Sequence, residues 1–286
     1  MDAGPGPSGD SLRTEDLRAC TLREIRRDLS RSFEDYCVPL RIGDRTVDRL
    51  LTQDGASLLL SRRLLEGDRF AGVALVGRRG RSCRFLAMGI VPELRGRGLG
   101  RWFMRRLIAE ARERGERSIW LEAFECNEKA VRLHESLGFR KVRRLVGWGA
   151  EEVLGVEGRV EEIDPAEAAR RIGRMAVPDA PWMVSGEALC HLGAECRAFA
   201  LGNAAAIVQF AGQAVQIHGL PLSPSPTTLQ QLAEVIRHAA HALPKAPWVA
   251  PPCFPEEILG QTMVRLGFAP DPHAQAQYLL TLSEEG

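Results

Sequence analysis

The stretch Met88-Gly89-Ile90-Val91-Pro92-Glu93-Leu94-Arg95-Gly96-Arg97-Gly98-Leu99-Gly100 decides the reading of this chain. The apolar run from Cys83 to Val91 reads as a strand that Pro92 ends. Gly100 to Arg114 reads as an amphipathic helix, with Trp102, Leu107 and Ile108 among its apolar residues. A glycine-rich turn between a strand and a helix start makes an anion site. The first N–H groups of the helix lack internal partners, and the helix dipole adds partial positive charge there. Glycine lets a phosphate approach the backbone and tolerates positive φ. Arg95, Arg97 and Arg101 add formal charge nearby. A dinucleotide fingerprint would need a third glycine where Arg101 stands, and no Gly-Lys-Ser/Thr closes a nucleoside-triphosphate loop.

On the N-terminal side, residues 1–14 read as a flexible lead. Thr21 and Glu24 form a capping box ahead of Leu22, Ile25, Leu29 and Phe33 at helical spacing. Ser57 to Leu65 and Phe70 to Val76 read as a hairpin turning at Glu66-Gly67-Asp68. On the C-terminal side, Ser118 to Glu125 is a strand, and Asn127 caps a helix that stops at Gly138. The same order then returns. The spacing from Pro92 to Pro221 and from Gly138 to Gly267 is 129 residues in both cases, which points to a duplicated domain with its boundary near residues 150–160.

Composition narrows the class. The 286 residues are 45% hydrophobic, ample for a buried core and suited to one large or two medium domains, and 38 basic against 37 acidic side chains leave a formal charge of +1. That balance does not point to a nucleic-acid partner. Seven cysteines at irregular spacing, with no apolar leader at Met1 to Asp10, read as free thiols in a reducing cytoplasm. Ala198 to Ile217 is uncharged but carries Asn203, Gln209, Gln213 and Gln216, so paired strands around Gly212-Gln213 are expected rather than a membrane span. His238 with His241, and Cys190, His191 and Cys196, lack recognised zinc spacing, so no metal site is expected.

The loop from Met88 to Gly100 resembles the acyl-CoA motif of the GNAT superfamily of N-acyltransferases. So does Leu121-Glu122-Ala123-Phe124-Glu125-Cys126-Asn127-Glu128-Lys129-Ala130-Val131-Arg132-Leu133-His134-Glu135-Ser136-Leu137-Gly138-Phe139. The resemblance covers roughly residues 15–148. It implies an α/β fold, a mixed sheet flanked by helices, with strands splayed after Val91 and Glu125 to admit a pantetheine arm. It implies two tandem GNAT-like domains, a catalytic one at 15–150 and a degenerate one at 151–286, acting as an N-acetyltransferase that moves acetyl from acetyl-CoA to a primary amine.

Residue by residue, the resemblance implies that Arg95, Gly96, Arg97, Gly98, Leu99, Gly100 and Arg101 cradle the pyrophosphate. Ile90 and Val91 would pair with the pantetheine amides, and one of their N–H groups would polarise the acetyl carbonyl. Asn127 would contact the cofactor arm or serve as a helix cap alone. Glu122 is the candidate base, with a structural salt bridge as its other reading. The family's usual acid is Tyr, and His134 holds that place, either as an acid or as a side chain in another role. Cys126 beside the site reads as a buried thiol. Glu34 and Tyr36 lie where the family builds its acceptor wall. At the 129-residue offset the phosphate loop becomes Pro224-Ser225-Pro226-Thr227-Thr228-Leu229, which has no glycine and two residues without N–H. The second half is therefore expected to pack rather than to bind acetyl-CoA. The acceptor, a small molecule or a peptide amine, is left open, and the alternative from another class is a non-catalytic acyl-CoA-binding module.

Overall fold

The computed structural model describes residues 12–282. In chain order the elements are β1 (Leu12–Asp16), α1 (Leu22–Ser32), α2 (Asp44–Thr52), β2 (Arg62–Glu66), β3 (Arg69–Arg79), β4 (Ser82–Ile90), α3 (Leu99–Glu113), β5 (Ser118–Phe124), α4 (Glu128–Ser136) and β6 (Arg140–Ala150). They continue with β7 (Glu161–Ile163), α5 (Pro165–Arg174), α6 (Gly186–Leu189), β8 (Arg197–Leu201), β9 (Ala204–Ala211), β10 (Ala214–Gly219), α7 (Pro226–Ala242), β11 (Trp248–Pro255), α8 (Glu256–Arg265), β12 (Ala269–Pro270) and β13 (Gln275–Thr281).

The chain forms two compact units, one of residues 12–142 with 277–282 and the other of residues 143–276 among those described. In the first, the strand order is β1-β2-β3-β4-β5-β13, and in the second it is β7-β8-β9-β10-β11-β6. The same six-place pattern thus occurs twice, and each run includes one parallel pairing at the corresponding step, β4 with β5 and β10 with β11. The last place in each order is filled from the other half of the sequence. β6 follows the first repeat yet pairs antiparallel with β11, Trp248 opposite Ala150, and β13 follows the second repeat yet lies beside β5. The division therefore departs from contiguous segments at 15–150 and 151–286. Strand alternation says that a strand has a buried face, but not which of two similar sheet edges receives it.

Local chemistry explains the elements that set up the first unit. The Thr21 side chain accepts from Glu24 N–H while the Glu24 carboxylate accepts from Thr21 N–H, closing the capping box at the start of α1. Ile25 and Leu29 on α1, Val73, Ala74 and Leu75 on β3, and Phe103, Met104 and Leu107 on α3 are almost fully buried. The helices α4 and α8 end alike. Gly138 and Gly267 both take φ of 90°, and the N–H groups of Phe139 and Phe268 bond back to the carbonyls of His134 and Met263. That shared cap is the physical basis of the repeated Leu-Gly-Phe.

Two expectations change. Residues 12–14, read as part of a flexible lead, belong to β1, which pairs with β2 from Leu12 opposite Glu66 to Asp16 opposite Arg62. As an edge strand it buries only Leu12 and Asp16's neighbour Leu17 closely, too few apolar residues to announce a strand. Residues 1–11 of that lead lie outside the described residues. The hairpin's first arm begins at Arg62, because Leu60 and Ser61 N–H groups bond back to the Ser57 carbonyl and make a turn of Ser57 to Ser61. The uncharged run from Ala198 forms the β8-β9-β10 meander, with Gly212 at φ of 65° in the expected turn. Among the described residues no helix is long and apolar enough to cross a membrane.

Candidate functional site

The strands β4 and β5 run side by side only from Ser82 opposite Ser118 to Phe85 opposite Leu121. Beyond that point both continue but no longer pair. The divergence begins where β4 carries a bulge. Leu75 of β3 faces Ala87 and Val76 faces Phe85, so Leu86 is an extra residue on β4. A bulge bends its strand and increases the local twist, which draws β4 away from β5.

Past the bulge, β4 stays bonded to β3. The Val91 N–H donates to the Ala71 carbonyl, so by antiparallel alternation Gly89 and Val91 face β3 while the backbone groups of Met88 and Ile90 face the gap. Val91 is thereby corrected as a pantetheine partner, because its N–H is already committed. Met88, which the motif reading did not single out, takes the position two residues before Ile90.

A cavity of about 530 Å³ occupies this gap. Its lining includes Met88, Gly89, Ile90, Arg95, Gly96, Gly100, Asn127, Lys129 and Leu133, and from the α1–α2 loop Phe33, Asp35, Tyr36 and Cys37. Gly89 is required here, since a Cβ would come within 2.7 Å of the Ser32 carbonyl oxygen. The end of α1 thus packs directly on β4. Asp35 at φ of 55° then turns the chain over the cavity, a backbone state that Asp tolerates better than most residues.

The glycine loop has the form the sequence predicts. Gly96 and Gly98 hold φ of 80° and 82°, and Gly98 is the N-cap of α3. Among the described residues, no acceptor bonds the N–H groups from Gly96 through Arg101. The arginines behave otherwise than as free phosphate clamps. Arg95 gives Nε to the Ile90 carbonyl at 2.9 Å and Nη2 to the Ser32 and Glu34 carbonyls at 3.2 and 2.7 Å, so it ties the α1–α2 loop to β4. Arg97 pairs with Glu66 at 2.6 Å, and Arg101 donates to Ser136 Oγ at 2.9 Å. Leu99 is buried, and Gly98 and Arg101 border a neighbouring recess with Trp102, Arg105 and Arg106. The unbonded hydrogen-bond donors of the mouth therefore lie in its backbone.

Asn127 does two things. Its Oδ1 accepts from the Ala130 N–H at 3.2 Å and caps α4, and its side chain lies near the Tyr36 hydroxyl and partly offsets the effect of burial on that phenol. Burial pushes the Tyr36 phenol above its ordinary pKa, so it keeps its proton at neutral pH. The Tyr36 ring stands edge-on to Phe33 and Phe124, at 5.3 and 6.1 Å between centroids.

Neither acid–base candidate lines the cavity. Arg84 holds the Glu122 carboxylate through Nε and Nη2, each at 2.7 Å, with both side chains only 4% exposed. The Gln277 amide on β13 donates to the other Glu122 oxygen at 3.4 Å. His134 is buried against Phe139 and Tyr278, at 5.9 Å from each ring, and its Nδ1 has no partner among the described residues. Burial pushes its pKa down to about 4, so at neutral pH it is an uncharged ring in the core and not the imidazolium an acid requires. Cys126, expected to be a buried thiol, is exposed at the cavity edge.

The family model described as the Acetyltransferase (GNAT) family matches residues 21–139. The ribosomal protein bS18-alanine N-acetyltransferase of Escherichia coli is 30% identical over 133 residues, a match covering 46% of this chain and 79% of that enzyme. The chain belongs to the GNAT family of acetyltransferases. The corresponding enzyme of Salmonella typhimurium is 34% identical over 82 residues, 29% of this chain, and the match spans only 55% of that relative. The fold of both repeats is that of a tandem GNAT protein from the clavulanic acid biosynthesis pathway, with TM-score 0.60, 12% identity, and coverage of 96% of this chain and 100% of that one.

The second GNAT repeat keeps the strand–turn–helix order but closes the mouth of its helix. Ser225 caps α7 by accepting from the Thr228 N–H, and Pro226 is its first residue. The start of α8 likewise has Pro255 at the N-cap and no side-chain cap bond.

Proposed function

We propose that the first GNAT repeat binds acetyl-CoA in the gap between β4 and β5 and transfers the acetyl group to a primary amine. The observation that carries this reading is the continuity of one cavity. It joins Gly96 and Gly100 of the loop to the gap-facing backbone of Met88 and Ile90. A diphosphate at the helix mouth receives backbone hydrogen bonds and the favourable end of the α3 dipole. An extended pantetheine arm then pairs with β4 as a missing strand would.

In the proposed transfer, the neutral amine nitrogen attacks the thioester carbonyl carbon. On this reading the Ile90 N–H stabilises the developing oxyanion, the C–S bond breaks, the thiolate leaves, and the extra proton on the attacking nitrogen passes to water or to the departing thiolate. A thiolate is a weak base, so its departure does not need His134 as an acid. Glu122 as base requires its carboxylate to exchange part of its Arg84 bond for the incoming ammonium. Glu122→Gln tests this, read as kcat against pH on protein checked to be folded. Loss of activity concentrated at low pH supports Glu122 as the base, and an unchanged profile leaves it as Arg84's structural partner.

The acceptor is read as an amine small enough, or a chain end thin enough, to pass between the α1–α2 loop and β5. A peptide beginning with alanine is the first to try, because relatives act at an alanine of ribosomal protein bS18. Release of CoA thiol across a panel of peptides and small amines tests the transfer. Amine-dependent release supports an enzyme, and CoA binding without release above background supports a non-catalytic binding module.

A further inference from the structure

Cys37 and Cys126 lie far apart in sequence, one in the α1–α2 loop and the other in the turn between β5 and α4. Both are exposed, both are unpaired in disulfides, and both line the cavity. The Cys126 side chain is near enough to raise the pKa of the Cys37 thiol. An independent contact holds the same two segments together beside the thiols, the Tyr36 ring edge-on to Phe124 at 6.1 Å between centroids. Of the remaining cysteines, Cys83, Cys196 and Cys253 are buried.

We propose that Cys37 and Cys126 form a reversible disulfide that fastens the acceptor-side loop to the β5–α4 turn and closes the cleft to the acyl donor. The identity of that donor rests on the function proposed above, whereas the disulfide itself does not. A bond of about 2.05 Å between the sulfurs fixes the two walls at a shorter separation than unbonded thiols have. The gap loses the freedom to open around an inserted arm.

The oxidant is a low-molecular-weight disulfide. The Cys126 thiolate attacks one of its sulfurs, the S–S bond breaks, and one thiolate leaves and takes a proton from water. Cys37 then gives its proton to water, its sulfur attacks the Cys126 sulfur of the mixed disulfide, and the second thiolate leaves and is protonated. The protein loses two hydrogen atoms and the oxidant becomes two thiols. Partial burial and the neighbouring Cys126 push the Cys37 thiol up to about 12. An accessible thiol beside a resolving partner is the arrangement redox-responsive proteins use in a reducing compartment.

The full chain is treated with oxidised glutathione, and one portion is then reduced with dithiothreitol. Peptide mapping is expected to find Cys37 linked to Cys126 in the oxidised sample. Amide exchange is expected to slow across residues 33–37 and 124–130, and CoA affinity to fall roughly tenfold or more and return on reduction. In Cys37→Ser and Cys126→Ser the oxidised and reduced forms should bind CoA equally, while Cys190→Ser keeps the wild-type response. Absence of the linked peptide overturns the proposal, as does a linked protein that binds CoA as tightly as the reduced one. If the reduced chain ignores CoA altogether, the proposed function fails. Linkage with slowed exchange then still upholds the disulfide, and their absence still overturns it.

Discussion

At the scale of single residues, His134 shows how one position can be named by a motif and placed by a core. The motif puts it where relatives of this family carry a Tyr. The fold seals it between Phe139 and Tyr278, with its pKa lowered to about 4 by burial. The depressed value has a definite sign in stability. Above pH 6.5 both folded and unfolded imidazoles are neutral and contribute nothing. As pH falls from 6.5 to about 4 the unfolded chain takes a proton that the folded chain refuses, so stability is lost, and the loss levels off below that. The full effect is about 3 kcal/mol. His134→Phe should remove this acid-side loss, seen as the difference between the two proteins in urea unfolding between pH 7 and 4. It should also retain acetyl transfer. A variant with unchanged acid sensitivity would contradict the burial account, and one with abolished turnover but native stability would restore His134 as the acid.

At the scale of elements, the loop was legible in sequence and its arginines were not. Gly96, Gly98 and Pro92 impose backbone states that follow from residue type alone, so the turn and the open helix mouth could be read directly. Where Arg95, Arg97 and Arg101 point depends on the carbonyls of Ser32 and Glu34, on Glu66 and on Ser136, all distant in sequence. The same distinction governs Glu122. Alternation places it on a face of β5, but only the parallel register, with Arg84 opposite Trp120, brings Arg84 to it. Removing one partner of such a buried pair leaves an uncompensated charge and costs about 3–5 kcal/mol, while replacing both by apolar residues is close to neutral. Glu122→Leu should therefore lower the urea midpoint sharply, and Arg84→Met with Glu122→Leu should recover most of the loss. Equal destabilisation by the single and double changes would show that the pair is not the source.

At the scale of the whole molecule, duplication was visible in sequence and the exchange of last strands was not. The repeated Leu-Gly-Phe and strand–turn–helix order mark two copies. No pattern within β6 or β13 says which sheet each joins, since both edges accept a strand of similar character. The consequence is testable by truncation. A chain ending at His273 lacks β13 and with it Tyr278, one of the largest fully buried side chains of the protein. Losing one buried aromatic alone costs about 3–5 kcal/mol, a large share of the 5–15 kcal/mol that typically holds a domain together. The truncated chain should lose the cooperative unfolding and CoA binding of the first unit, although everything in the glycine loop is intact. Unimpaired CoA binding by that truncation would contradict the strand assignment.

Titration calorimetry of the reduced full chain with CoA, repeated on Gly98→Ala, tests the glycine-lined mouth most directly. At φ of 82° the alanine is strained by roughly 1–2 kcal/mol, which shifts the loop whose N–H groups the account assigns to the phosphate. One CoA per chain, with affinity lowered at least about tenfold by Gly98→Ala, is the expected result. Two CoA per chain, or binding indifferent to that alanine, would contradict it.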